Sequence, residues 1–266
     1  MGYDRLARVA AAGIRAKTIL CARRDNQAKG CLKRKEGCKL ILEQYRKWIA
    51  KSLSLTGHMI LRDLQSFSAM IGDAGLTIDV GSGYELHYKE IFRSSRIIGL
   101  DLYQPSHVQG DASALPFQSL CIDTVICTEV LEHLEDAHTA LGEIHRILVQ
   151  DGYLIVTVPF LLGIHDLVDY HRWTETGLRS LLDGAGFTVI SFRKRGGVFS
   201  VVGNMISHIP RQLFGKSIQR RSWIFKGLYF FFLLPFLVVP WVMCPFDALD
   251  RQKHFVVGYS ALCQKR

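Results

Sequence analysis

Three carboxylates and two glycines in the middle of the chain have the types and order needed to hold a positively charged nucleoside. The stretch TIDVGSGYELHYKE places Asp79 just before Gly81 and Gly83. Glycines let a backbone approach a ligand closely, and the start of a helix offers free N–H groups there. A dinucleotide site prefers a third small residue where Leu86 stands, because helix and sheet must pack closely at that point. Asp79 would also repel a pyrophosphate, whereas it suits a cationic amino group. RIIGLD then ends in Asp101, where one carboxylate can accept both hydroxyl protons of a ribose. GDASALPF follows, with Asp111 able to accept from an adenine amino group and Ala112 offering a backbone N–H. Any one of these acids reads as a turn residue. Together, at the ends of consecutive strands, they mark the edge of an open parallel sheet where ligands bind.

The elements that must position them follow from periodicity. After Gly75, the short apolar runs LTIDV, RIIGLD, IDTVICT, GYLIVTVPF and FTVISFRK alternate with helical stretches, the pattern of a parallel sheet with crossover helices. DAHTALGEIHRIL has helical spacing, and Thr174 is placed to cap a second helix that ends at Gly184 and Gly186. HFVVGYSALCQK closes the chain as a strand. Upstream, Ile60, Leu64, Phe67 and Ile71 form one helical stripe, and Ile41, Tyr45, Trp48 and Ile49 another, backed by Lys39, Arg46, Lys47 and Lys51.

From about Gly75 to Gly197 the chain resembles the class I S-adenosylmethionine-dependent methyltransferases, of the type 11 kind. The resemblance is carried by Asp79-Val80-Gly81-Ser82-Gly83, Asp101, Asp111-Ala112, the stretch DTVICTEVLEHLED, and GYLIVTVPF after IHRILVQDG. Glu85 stands where the fuller motif has a third glycine, and VQDG where KPGG is usual. The resemblance implies an α/β fold with a doubly wound, mostly parallel seven-stranded sheet and S-adenosylmethionine as cofactor. It implies that Asp79, Gly81 and Gly83 face the methionine part, Asp101 the ribose, and Asp111 with Ala112 the adenine. Thr128 or Glu129 would line the pocket after the fourth strand. The domains expected are a basic helical N-terminal extension over 1–72 and a methyltransferase domain over 73–266, with an apolar insert at about 198–250.

A sulfonium methyl is electrophilic already, so the protein chiefly aligns a nucleophile and excludes water. A hydroxyl acceptor also needs its proton removed. LLGIHDLVDYHRWT follows the fifth strand and supplies His165 and His171 as candidate bases, with Asp166, Asp169 and Tyr170 to orient one of them. In TEVLEHL, a helix starting at the end of the fourth strand would put Glu129, Glu132 and His133 on one face, a spacing able to hold a divalent cation. Relatives without metal share the motif, where these residues serve packing, capping and pocket walls, and that reading is preferred here.

The run GLYFFFLLPFLVVPWVMC, 227–244, carries no charge. It is near the length of about 20 residues needed to span a bilayer, with Pro235 and Pro240 inside it. If the last two strands pair in one sheet, the chain between them must leave and return on the same side. One crossing is then excluded, and two need about twice the apolar length. Arg211, Lys216, Arg220, Arg221 and Lys226 precede the run, and Trp223 and Trp241 bracket it, as in a bent segment lying at a membrane interface. The expectation is a peripheral or monotopic protein on the cytoplasmic side, methylating oxygen on a lipid-linked, isoprenoid or glycan-type acceptor; a dimer contact is the plainer alternative for the run.

A net charge of +9 in 266 residues favours an anionic partner without choosing it. An RNA methyltransferase is one rival, but the basic residues are not interleaved with aromatics in a nucleic-acid module, so nucleic acid is disfavoured. A cofactor-binding scaffold without turnover is the other. The seven cysteines show neither CxxC nor zinc spacing and read as reduced thiols. Arg15 and Lys17 interrupt any secretory core segment, while an organelle presequence stays open.

Overall fold

A computed structural model describes residues 54–83, 90–92, 96–103, 106–164, 168–218 and 223–266. The stripe expected over 41–49 lies outside them. The apolar runs form β1 (Leu76–Val80), β2 (Arg96–Asp101), β4 (Ile122–Thr128), β5 (Leu148–Pro159), β6 (Phe187–Arg195) and β7 (Gly258–Lys265), and the two-residue β3 (Val108–Gln109), which no apolar run marks, joins them. They build one sheet in the order β3-β2-β1-β4-β5-β7-β6. The first five strands are parallel, and β7 enters antiparallel between β5 and β6. This is the seven-stranded, mostly parallel α/β sheet that the resemblance implies. β5 starts four residues before Gly152, with Asp151 in a left-handed turn at φ 60° and a register shift opposite it in β4.

Successive strand residues face opposite sides of a sheet, and both faces here are covered, which is why the strands are apolar throughout. On one face α1 (Leu55–Ile71) buries Ile60, Leu64 and Phe67 against Ile126, Ile155 and Leu262. Ser54 caps it by accepting the Gly57 N–H at 3.0 Å. The alternate residues Val125, Val156 and Ala261 belong to the other face. There α2 (Ala137–Ile147) contributes Leu141 and Ile144, and α3 (Glu175–Gly184) contributes Leu178 and Leu182. Asp136 caps α2 and Thr174 caps α3.

Between β6 and β7 the chain runs out along α4 (Val198–Ile218) and back along α5 (Trp223–Met243). The two helices pack on each other. At Gly203 a side chain would meet Pro240 Cα at 2.9 Å, so a glycine is what lets them close. The helix α5 runs on through Pro235 and Pro240. Two carboxylates fix the root of this hairpin. Asp247, in the 3-10 turn Cys244–Ala248, accepts the N–H groups of Phe199 and Ser200 at 3.0 and 3.1 Å as well as the Ser200 hydroxyl. Asp250 accepts the Val198 N–H at 3.0 Å. The first turn of α4 is thus satisfied from the far end of the hairpin.

Strand register places this root. Gly258 opens β7 opposite Arg195, the last residue of β6, and opposite Pro159, the last of β5. The hairpin therefore leaves and returns at the edge where the parallel strands end.

Asp247→Ala should remove three hydrogen bonds from a buried cap and lower stability by about 1–3 kcal/mol. A urea midpoint shift at constant slope checks this; an unchanged midpoint would show that water replaces the cap.

Candidate active site

The C-terminal edge of β1, β2 and β3 brings the three predicted aspartates together. Asp79 is the next-to-last residue of β1 and is 1% exposed. Beyond it the chain turns sharply, with the Gly81 and Ser82 N–H groups both donating to Leu100 O at 2.8 and 3.2 Å. Gly81 and Gly83 have φ of 73° and 66°, in the left-handed region. A side chain at Gly81 would meet Val130 Cγ2 at 2.4 Å, whereas one at Gly83 would meet nothing within 4 Å among the described residues. Gly83 thus borders open space, a cradle that a larger residue would fill. Its N–H donates to Asp101 Oδ2 at 3.0 Å, and Tyr103 N–H donates to Oδ1 at 2.9 Å. Asp101 is the last residue of β2 and latches the glycine turn to the neighbouring strand. Asp111 follows β3 on the exposed side, its Oδ1 accepting the Ser113 N–H at 2.8 Å, next to buried Ala112. Glu85 and Leu86 lie outside the described residues.

The loop carrying Asp111 is clamped from below. Glu143 on α2 accepts the Leu115 N–H at 2.8 Å, and Arg146 donates to Leu115 O and Phe117 O at 3.0 and 2.9 Å. Their mutual ion pair at 2.7 Å holds the Glu143 carboxyl below its ordinary range. The sequence singled out neither residue, because an acid and a base three apart on a helix read as a surface pair.

After β4 the structure departs from expectation. Glu129, Glu132 and His133 do not share a helix face: only Leu131–His133 turns, as a single 3-10 turn, and Glu129 precedes it at φ 53°. That left-handed residue breaks the i, i+3 relation on which the shared face depended. The Glu129 carboxylate instead accepts the Thr157 hydroxyl at 2.9 Å and the Arg195 Nη2–H at 2.6 Å. Among the described residues no group of three His, Cys, Asp or Glu is arranged to hold a metal ion. Thr128, the last residue of β4, is buried beside them.

Arg195 was missed in the sequence, where it is one of three bases in FRKR. In the structure it is 1% exposed, and Nη2 also donates to Val158 O at 2.6 Å. Next to this pair Glu132 is fully enclosed. Burial first, and the Glu129 charge second, push its carboxyl up to about 8. Its backbone carbonyl accepts the Tyr170 N–H at 2.8 Å, and His133 Nδ1 lies 2.6 Å from Val168 O, so the turn after β4 is stitched to the segment after β5. Burial, then the charges of Glu132 and Asp79, raise the Cys127 thiol far out of its reactive range.

Of the candidate bases, His165 and Asp166 lie outside the described residues. His171 Nε2 is 3.1 Å from Glu135 O, and its ring lies 5.0 Å from that of Trp173. Asp169 is paired with Arg172.

Comparison with known proteins agrees with this geometry. Residues 78–156 match the family model described as a methyltransferase domain. The chain is 30% identical over 119 residues to the ubiquinone/menaquinone biosynthesis C-methyltransferase UbiE of Blochmanniella pennsylvanica, covering 42% of this chain and 45% of that protein. The chain spans about half the length of the curated relatives it matches. In fold it is similar to the Burkholderia thailandensis 1,6-didemethyltoxoflavin-N1-methyltransferase with bound S-adenosylhomocysteine, with a TM-score of 0.51, 16% identity and 91% of each chain covered. It is similar also to a structure described as a sarcosine dimethylglycine methyltransferase from Galdieria sulphuraria, with a TM-score of 0.51, 16% identity, and 79% of this chain and 86% of that one covered.

Glu132 generates a pH prediction. Its folded carboxyl titrates near about 8 and its unfolded one near 4.5, so between these values the folded chain binds more protons. Stability contributed here therefore falls as pH rises through that window and levels off above it. Glu132→Gln should remove the slope and leave the variant more stable than the parent above neutrality, by up to a few kcal/mol. Urea midpoints across pH check this; parallel profiles would refute the burial of an ionising Glu132.

With a matching family model over β1 to β5, this sheet order and this glycine turn, the chain carries a class I S-adenosylmethionine-dependent methyltransferase domain.

Proposed function

We propose that the protein is a membrane-associated methyltransferase that transfers a methyl group to an amphiphilic, lipid-linked or isoprenoid acceptor. The observation that carries this reading is that the cradle at Gly83 and the apolar hairpin α4–α5 belong to the same edge of the sheet. Phe231–Ala248 is long and apolar enough to cross a membrane, and 6% of it is buried. Apolar surface of this extent on a soluble chain calls for a partner. The sheet pairing returns the chain to its own side, which favours insertion into one leaflet over a single crossing.

The donor set fits S-adenosylmethionine. Its amino group, ribose hydroxyls and adenine amino group are all donors, and Asp79, Asp101 and Asp111 are all acceptors. In this reading Asp79 with the Gly81–Gly83 turn holds the methionine part, Asp101 the ribose, and Asp111 with Ala112 the adenine, while Thr128 and Glu129 bound the pocket after β4. When bound, the cofactor supplies an electrophilic methyl group. The chain's own work is to orient the acceptor, exclude water and manage a proton. In this reading the segment after β5 forms the acceptor wall, which its hydrogen bonds to the turn at Glu132 and His133 support. His165 and His171 remain the candidate bases for an oxygen acceptor.

A second reading, transfer to carbon, is favoured by the similarity to a C-methyltransferase. A ring carbon activated by a neighbouring hydroxyl needs the same deprotonation, so one base serves either outcome.

Incubation with methyl-labelled cofactor and separated lipid, glycan and RNA fractions should label the lipid fraction, and the methyl resonance of the product tells oxygen from carbon. Label in RNA alone would overturn the acceptor class, and cofactor binding with no transfer to any fraction would indicate a scaffold. Asp101→Ala should weaken S-adenosylhomocysteine by at least about tenfold in calorimetry, the scale of a lost charged hydrogen bond. Unchanged affinity would refute the ribose assignment. Replacing 227–244 by a short linker should release the protein from membranes.

A further inference from the structure

The hairpin does not exhaust the exposed apolar surface at this edge. Four large side chains stand there on loops separate from it: Tyr103 after β2, 85% exposed, Ile164 after β5, 81% exposed, and Leu249 and Phe255 before β7, 73% and 56% exposed. All three loops meet the sheet where its parallel strands end, because β7 begins opposite the last residue of β5. They therefore share the edge with the glycine cradle and the three aspartates.

The loop before β7 is not loose. Asp250 accepts the Lys253 N–H at 3.0 Å with one oxygen and the Val198 N–H with the other, joining the loop to the first turn of α4. Those backbone bonds hold its carboxyl below the ordinary range. Lys253 sits in the left-handed region at φ 46°, which turns the chain at the middle of the loop. The sequence of the loop, LDRQKHF, sets Arg251 and Lys253 between the two exposed apolar residues. Bases interleaved with protruding apolar side chains are what an anionic lipid surface recognises: the side chains enter the headgroup region and the cations stay at the phosphates.

We infer that Tyr103, Ile164, Leu249 and Phe255, with Arg251 and Lys253, form a second membrane contact that rims the cofactor edge and sets the active-site mouth against the headgroups of an anionic leaflet. The inference rests on the reading of α4–α5 as the anchor and adds the orientation of the site. The hairpin supplies attachment, and the rim removes the rotational freedom left about it. An amphiphilic acceptor then reaches the cofactor without leaving the leaflet, which avoids exposing its apolar part to water.

Hydrogen exchange on the full chain, with and without vesicles of phosphatidylcholine and phosphatidylglycerol, tests both layers. Protection at 102–103 and 249–255, together with 231–243, is the result expected. Leu249→Asp with Phe255→Asp should weaken binding to these vesicles at least about tenfold while the heat of S-adenosylhomocysteine binding is unchanged. Arg251→Ala with Lys253→Ala should lose the preference for phosphatidylglycerol over phosphatidylcholine alone. Protection confined to 231–243, with full vesicle affinity in both double variants, overturns the rim and leaves the anchor standing. Absence of vesicle binding by the parent chain overturns both. Rim protection that appears without vesicles and grows with protein concentration marks a second copy of the chain instead, and also overturns the inference.

Discussion

The guanidinium of Arg195 joins the ends of four strands. It closes β6, donates to the last turn of β5 through Val158 O, binds Glu129 just past β4, and lies where a side chain on Gly258 of β7 would stand, 2.4 Å from that position. A charge so enclosed is costly unless it is paired, and loss of one partner leaves the other stranded. The pairing in turn explains the backbone at Glu129. Its left-handed conformation is unfavourable for a residue with a side chain, and the ion pair together with the Thr157 hydroxyl holds it there. One contact thus settles both the floor of the pocket after β4 and the place from which the hairpin departs.

Around this point the sheet edge divides into two kinds of surface. Toward β3 it is acidic and polar, with Asp101 and Asp111 beside the glycine turn. Toward β6 it is apolar, with the hairpin and the loop before β7. The antiparallel entry of β7 creates this division, because an insert between two adjacent antiparallel strands must begin and end at one edge. Its position is set by hydrogen-bond register rather than by its own preference for lipid. Asp247 and Asp250 then cap α4 from across the hairpin, so the apolar helices are fixed at the root.

Much of the site was legible because it is local. Asp79, Gly81 and Gly83 lie within five residues, and a strand followed by glycines and a helix allows few conformations. The place of Asp101 could be read because a strand end shows where an apolar run stops, whereas the two-residue β3 before Asp111 has no such run. The trio at 129–133 misled for the opposite reason. Its spacing fits a helix, but the chain leaving β4 is held by Arg195, 66 residues away, and nothing near Glu129 announces that partner. The Glu143–Arg146 clamp was hidden likewise, since its targets lie some thirty residues upstream.

The sequence by itself determined the strands other than β3, the capped helices, the glycine turn and the presence of one long uncharged apolar run, since each depends on neighbours along the chain. Only the tertiary structure decided that Glu129 faces a buried arginine, that Glu132 is enclosed enough to hold its proton, and that the apolar hairpin shares an edge with the three aspartates. Those facts depend on strand register and burial, which arise when distant segments pack and dielectric surroundings are set by the whole fold.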